Sequence, residues 1–142
     1  MSATPARRGL QPAGLFDAPA IGYSHAVATE GGRLVHIAGQ VAEAPTPAEE
    51  VEAALRAIDA CCREAGGTLH DVVWMTWYTT EDVSALWSAT ADIRGRLLGD
   101  PPPAATSVRV VALANPRYHV EITAVAVVPT APPAANHEEE PR

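Results

Sequence analysis

The chain has 142 residues, 47% hydrophobic and 19% charged, which suits one globular domain that needs no disulfide or metal to hold its core. Its formal net charge is −7 and its ten basic residues are scattered, so neither a phosphate backbone nor an anionic membrane is expected as a partner. All ten are arginine, which excludes a Schiff-base lysine and a P-loop phosphate lysine.

No apolar run approaches the ~18 residues of a membrane span, and the first residues lack the apolar stretch of a secretory leader. Cys61 and Cys62 offer no zinc ligand set and fit reduced thiols in a cytoplasmic protein, so no metal and no cofactor is expected. Residues 1–14 show no periodicity and read as a flexible tail. Tyr23 to Thr29 and Arg33 to Gly39 read as short strands joined by a hairpin turn at Glu30-Gly31-Gly32. Thr46, Pro47 and Glu49 supply an N-cap, a first-turn proline and a capping box. Val51, Leu55, Ile58, Cys62 and Ala65 follow at helical spacing, with Glu52–Arg56 and Asp59–Arg63 as acid-first pairs and Gly66-Gly67 as the stop. Asp71 to Thr79 is rich in β-branched and aromatic residues and predicts a strand. Thr80 or Asp82 caps a second helix with the stripe Val83, Leu86, Thr90, Ile93 and Leu97, ended by Gly99-Asp100 and three prolines. Ala105 to Leu113 and Tyr118 to Val128 read as two further strands, and residues 129–142 as a flexible acidic tail. The order ββαβαββ predicts an α+β fold with two helices on one face of a mixed sheet. The other face then has to pack against further copies of the chain, which predicts a homo-oligomer.

Between residues 15 and 128 several short motifs stand in a defined order. They are Ala20-Ile21-Gly22-Tyr23-Ser24, Ile37-Ala38-Gly39-Gln40, Ala65-Gly66, Asp71-Val72-Val73, Pro103-Ala104-Ala105-Thr106 and Val120-Glu121-Ile122-Thr123-Ala124-Val125-Ala126. In this order and spacing the chain resembles the Rid family, also called YjgF, of small homotrimeric proteins. The resemblance implies a chorismate-mutase-like fold over 15–128, with three subunits closing a barrel and a cleft between each pair of neighbours. It also implies hydrolysis of amino-acid-derived enamines and imines to keto acids and ammonia. In active relatives a last-strand glutamate positions and activates water, while a tyrosine near the first strand and an asparagine of the second helix shape the cleft. An arginine grips the substrate carboxylate. Here Glu121 stands at the glutamate position, Tyr23 at the tyrosine position and Thr90 at the asparagine position.

The arginine position holds Ala105, whose methyl cannot make the bidentate pair a guanidinium makes with a carboxylate. Arg109 and Arg117 are candidate substitutes, with Ser107 on the strand face shared by Ala105 and Arg109. His119, two residues before Glu121, either shares its proton transfer or faces solvent. Gly39 brings backbone close to the ligand or simply ends a strand, and Trp87 is either a cleft wall or core. The expectation is an enzyme acting on a small imine, enamine or carbonyl metabolite that lacks the usual carboxylate contact. A tailoring step in secondary metabolism would fit it. Cyclisation, condensation or isomerisation stand beside hydrolysis, since one carboxylate serves all of them. The alternative is a non-catalytic small-molecule-binding or regulatory trimer.

Overall fold

The computed structural model describes residues 6–130. The acidic segment from 131 on, most of the tail expected over 129–142, lies outside the described residues. The elements are β1 (Ala6–Leu10), β2 (Ala26–Glu30), β3 (Arg33–Gln40), α1 (Pro47–Glu64), β4 (Val72–Thr79), α2 (Val83–Ala89), α3 (Ala91–Leu97), β5 (Ala104–Arg109) and β6 (Val120–Val128). A mixed sheet runs β3-β6-β4-β5, with β4 and β5 parallel and the other neighbours antiparallel. No helix among the described residues is long and apolar enough to cross a membrane.

The period-2 pattern of β6 sets the two faces of the sheet. Val120, Ile122, Ala124, Ala126 and Val128 are buried against α1, together with Met75 and Trp77 of β4 and Ile37 of β3. α1 answers with Val51, Leu55, Ile58 and Cys62, each fully buried. Burial of each large aliphatic side chain here contributes about 1.5–3 kcal/mol. The Cys62 thiol is pushed up to about 11 by desolvation, first of all, and so stays an inert packing group. The helix starts as its sequence dictates: Thr46 Oγ1 accepts from the Glu49 N–H at 3.2 Å, Pro47 follows, and the pairs Arg56–Glu52 and Arg63–Asp59 form at 3.3 and 2.6 Å. The opposite sheet face carries Glu121, Thr123 and Val125 of β6 and leaves Leu34 62% and Trp74 41% exposed. The fold is the α+β, chorismate-mutase-like arrangement the sequence predicts.

Four local expectations change. Residues 6–10, read as tail, form β1, because the segment pairs with β2 and Arg7 donates to the carbonyls of His70 and Pro101. Gly31 and Gly32, at φ +71° and +79°, do reverse the chain. However, β2 pairs with β1 and β3 with β6, so no β2–β3 hairpin ladder forms. The second helix is two short ones, α2 and α3, interrupted at Thr90. The Thr90 hydroxyl donates to the Leu86 carbonyl at 2.9 Å, the back-bonding that bends helices at threonine. β5 stops at Arg109 rather than Leu113, where its neighbour β4 ends at Thr79.

Candidate functional site

Ile21, Tyr23, Val83, Ser84, Trp87, Ser88, Ala105 and Ser107 line a cavity of about 370 Å³, within the ~300–1,000 Å³ usual for small-molecule sites. Three parts of the chain build it. Ser84, Trp87 and Ser88 share one face of α2, whose start is capped by Asp82 accepting from the Ala85 N–H at 2.8 Å. Ala105 and Ser107 are alternate residues of β5, in register with buried Met75 and Trp77 and so turned to the helix side. Tyr23 is held beside the start of β5 by its neighbour Ser24, whose N–H donates to the Pro103 carbonyl at 3.0 Å and whose hydroxyl donates to the Pro102 carbonyl.

Trp87 is the centre of an aromatic wall. Its ring stands 6.1 Å from Tyr23 at 82° and 5.1 Å from Trp77 at 62°, both edge-to-face geometries. Its Nε1–H donates to the Ile21 carbonyl at 2.7 Å. The Arg94 guanidinium lies against the ring, 3.6 Å from its centroid, a cation–π contact. Arg94 is only 5% exposed, and its hydrogen bonds go to the Trp87 carbonyl (2.6 Å), Thr90 Oγ1 (3.4 Å) and the Ile21 and Gly22 carbonyls (3.5 Å each). None of these partners is a carboxylate. Desolvation accordingly pulls its pKa down to about 10, which still leaves it charged at neutral pH. Gly22 has φ +97°, and a Cβ there would overlap Arg94 Nη1, so glycine is needed for both reasons.

Glu121 is on the other face of the sheet. It pairs in register with Tyr78, and Tyr78 with Val108, whereas the cavity residues Ala105 and Ser107 alternate with these positions. Glu121 therefore does not line the Tyr23 cavity within one chain. Its carboxylate lies against Gly39, where any Cβ would overlap Oε1 and Cδ. What opposes a side chain at Gly39 is thus the close approach of this flexible carboxylate, not a turn. We expect Gly39→Ala to displace the carboxylate while the obstructing side chain swings aside. Activity should fall nearly as far as in Glu121→Gln with a melting temperature lowered by only a few degrees, measured by parallel assay and thermal denaturation.

Four other candidates stand elsewhere. Thr90 is fully buried at the α2–α3 junction and presents nothing to the cavity. His119 precedes β6, and both its N–H (2.9 Å) and its Nδ1 (2.8 Å) engage Glu50, a carboxylate 1% exposed on α1. A buried carboxylate needs such partners, which takes His119 away from Glu121. Arg109 is exposed and donates from Nε to the Thr80 carbonyl at 3.2 Å. Arg117 faces Glu43 at 3.6 Å. Neither lines the cavity, and among the described residues no arginine lines it in place of the one missing at Ala105. Sequence reasoning passed over Ser84, Ser88 and Arg94. The serines could have been found from their i and i+4 spacing about Trp87, whereas Arg94 carries no local signal.

The endoribonuclease L-PSP family model matches residues 16–128. Solved structures agree with it. A Rid-family protein of unknown function from Yersinia pestis is 30% identical, covering 86% of this chain and 98% of that one with a TM-score of 0.75. A YjgF-family member from Mycobacterium tuberculosis is 35% identical, covering 87% and 100%, with a TM-score of 0.62. RidA from an Antarctic Psychrobacter species is 26% identical, covering 84% and 94%, with a TM-score of 0.61. A search of the curated proteins returns no match. With its fold, its motifs and nearly all of its described residues accounted for in this way, the chain belongs to the Rid/YjgF family.

Proposed function

We propose that this chain is a Rid-type enzyme that hydrolyses small imines or enamines, or acts on related carbonyl compounds, in a cleft shared by adjoining subunits of a homotrimer. The observation that carries the reading is the division of the site. Tyr23, Trp87, Ala105 and Ser107 line a neutral cavity on the helix side of the sheet, and Glu121 lies against Gly39 on the opposite, uncovered side. One chain cannot bring these halves together, but a neighbour presenting its uncovered sheet face can.

In such a cleft Glu121 acts as a general base on water. The water oxygen attacks the C=N carbon while its proton passes to the carboxylate and on to the imine nitrogen. The carbinolamine then gives up its hydroxyl proton, which the same carboxylate relays to nitrogen as the C–N bond breaks, leaving a ketone and ammonia. Tyr23 orients the ligand through its hydroxyl and ring edge. Without a guanidinium at Ala105 the substrate has no carboxylate clamp. The word endoribonuclease in the family description does not suit a chain of net charge −7, because RNA binding draws most of its affinity from basic side chains.

The test is an ammonia-release assay on enzymatically generated imines, with and without an α-carboxylate. Release above the spontaneous rate is expected, greater for imines lacking the carboxylate. Ligand binding without turnover across a broad panel would overturn the enzyme reading in favour of a binding trimer.

A further inference from the structure

Within one chain the cavity beside Trp87 is uncharged. Its lining is Ile21, Tyr23, Val83, Ser84, Trp87, Ser88, Ala105 and Ser107, with no acid and no base among them. The cation nearest to it by contact, Arg94, faces the Trp87 ring and is spent on backbone carbonyls and Thr90. A carboxylate entering the cavity would exchange its water for the neutral hydroxyls of serine and Tyr23 alone, which is unfavourable for a charged group.

The shape is as specific as the charge. Tyr23 and Trp87 meet at 82°, so they form a corner rather than a parallel slot. A flat ring laid on one face of that corner meets the other ring edge-on, the geometry aromatic groups prefer. The Trp87 Nε1–H is used by the Ile21 carbonyl and cannot serve a ligand. The donors the lining offers are the hydroxyls of Ser84, Ser88 and Ser107 and of Tyr23, which suit one carbonyl oxygen or imine nitrogen. Arg94 holds the corner open: it is packed on Trp87 and against Gly22, next to the Ile21 carbonyl that fixes the indole.

We infer that this pocket takes flat, uncharged aromatic ketones and the imines made from them. The inference rests on reading the Trp87 cavity as the substrate pocket. It narrows that reading to a ligand class by the neutral lining and the perpendicular aromatic walls.

A matched pair of probes tests it on the full-length protein. Acetophenone and benzoylformate share the phenyl ketone and differ in a methyl against a carboxylate. Cyclohexyl methyl ketone keeps the methyl ketone and removes the flat ring. Binding is followed by tryptophan fluorescence in the wild type, Ser107→Val, Trp87→Ala and Ala105→Arg. Acetophenone is expected to bind at least about tenfold tighter than either other probe, and Ala105→Arg to reverse the order in favour of benzoylformate by pairing with its carboxylate. Benzoylformate or the cyclohexyl ketone binding the wild type as well as acetophenone overturns the ligand class. Absence of acetophenone binding at millimolar concentration does the same. Binding of acetophenone that none of the three substitutions alters would place it elsewhere and overturn the pocket itself, a result distinct from the first two.

Discussion

Glu121→Gln is expected to lower ammonia release at saturating imine by about 10²–10⁴-fold, the usual contribution of a positioned general base. The amide keeps the size and the hydrogen-bonding reach of the carboxylate but cannot take a proton from water. Its neighbours Val120 and Ile122 are fully buried on the helix side, and Glu121 itself faces away from that core. The fold should therefore tolerate the change, with thermal denaturation nearly superimposable on the wild type. Ligand binding should also survive, since the cavity lining lies on the other face of the sheet. The loss would fall on kcat rather than KM. An unchanged kcat would remove Glu121 from the chemistry.

Trp74→Glu is expected to reduce the particle from three times the chain mass of 14.9 kDa to a single chain, read by light scattering after size exclusion. Trp74 pairs in register with Val125, on the sheet face that also carries Glu121, and is 41% exposed there beside a Leu34 that is 62% exposed. An antiparallel or mixed sheet can face water on one side, but that side is then polar. Here Leu34 and Trp74 lie exposed on it, and neighbouring copies of the chain are the natural cover. A carboxylate at Trp74 would have to be desolvated without a partner on assembly, which is costly enough to prevent it. Ammonia release should vanish with the assembly although Tyr23, Ser107 and Glu121 are all intact, because the proposed cleft takes its halves from different chains. A wild type that runs as one chain, or a Trp74→Glu protein that keeps full size and activity, would contradict the shared cleft.

Elements determined by neighbours in sequence could be read from it. α1 needs only Thr46, Pro47, Glu49 and the stripe from Val51 to Cys62, all within four residues of their partners, so its start and its buried face were both legible. β4 and β6 were legible for a similar reason, since alternation alone sends Trp77 inward and Trp74 outward. β1 was not. Ala-Arg-Arg-Gly-Leu has no strand pattern, and it becomes a strand through pairing with β2 and through Arg7 reaching carbonyls far along the chain. The break at Thr90 was hidden for another reason. Threonine fits a helical stripe by spacing, and only the packing of Arg94 beneath it shows that its hydroxyl turns back onto the helix.

The site divides along the same line. Tyr23, Ala105, Gly39 and Glu121 could be singled out from sequence because each belongs to a short motif that travels with its local backbone. Their grouping required the three-dimensional sheet. Strand register puts Ala105 and Ser107 on one face and Glu121 on the other, so what sequence presents as one constellation is two halves. The sequence left His119 as either a partner of Glu121 or a solvent-facing group. Its bond to Glu50 was not legible, because Glu50 lies 69 residues away on α1 and no spacing rule reaches across that distance. By itself the sequence determined that α1, β4 and β6 form, which face of α1 is apolar, and the loss of a cation at position 105, since these depend on residue identity and short-range periodicity. Only the tertiary structure decided which strands pair, which way each polar side chain turns and that Arg94 stacks on Trp87, because burial and desolvation are properties of the assembled core and not of any segment in it.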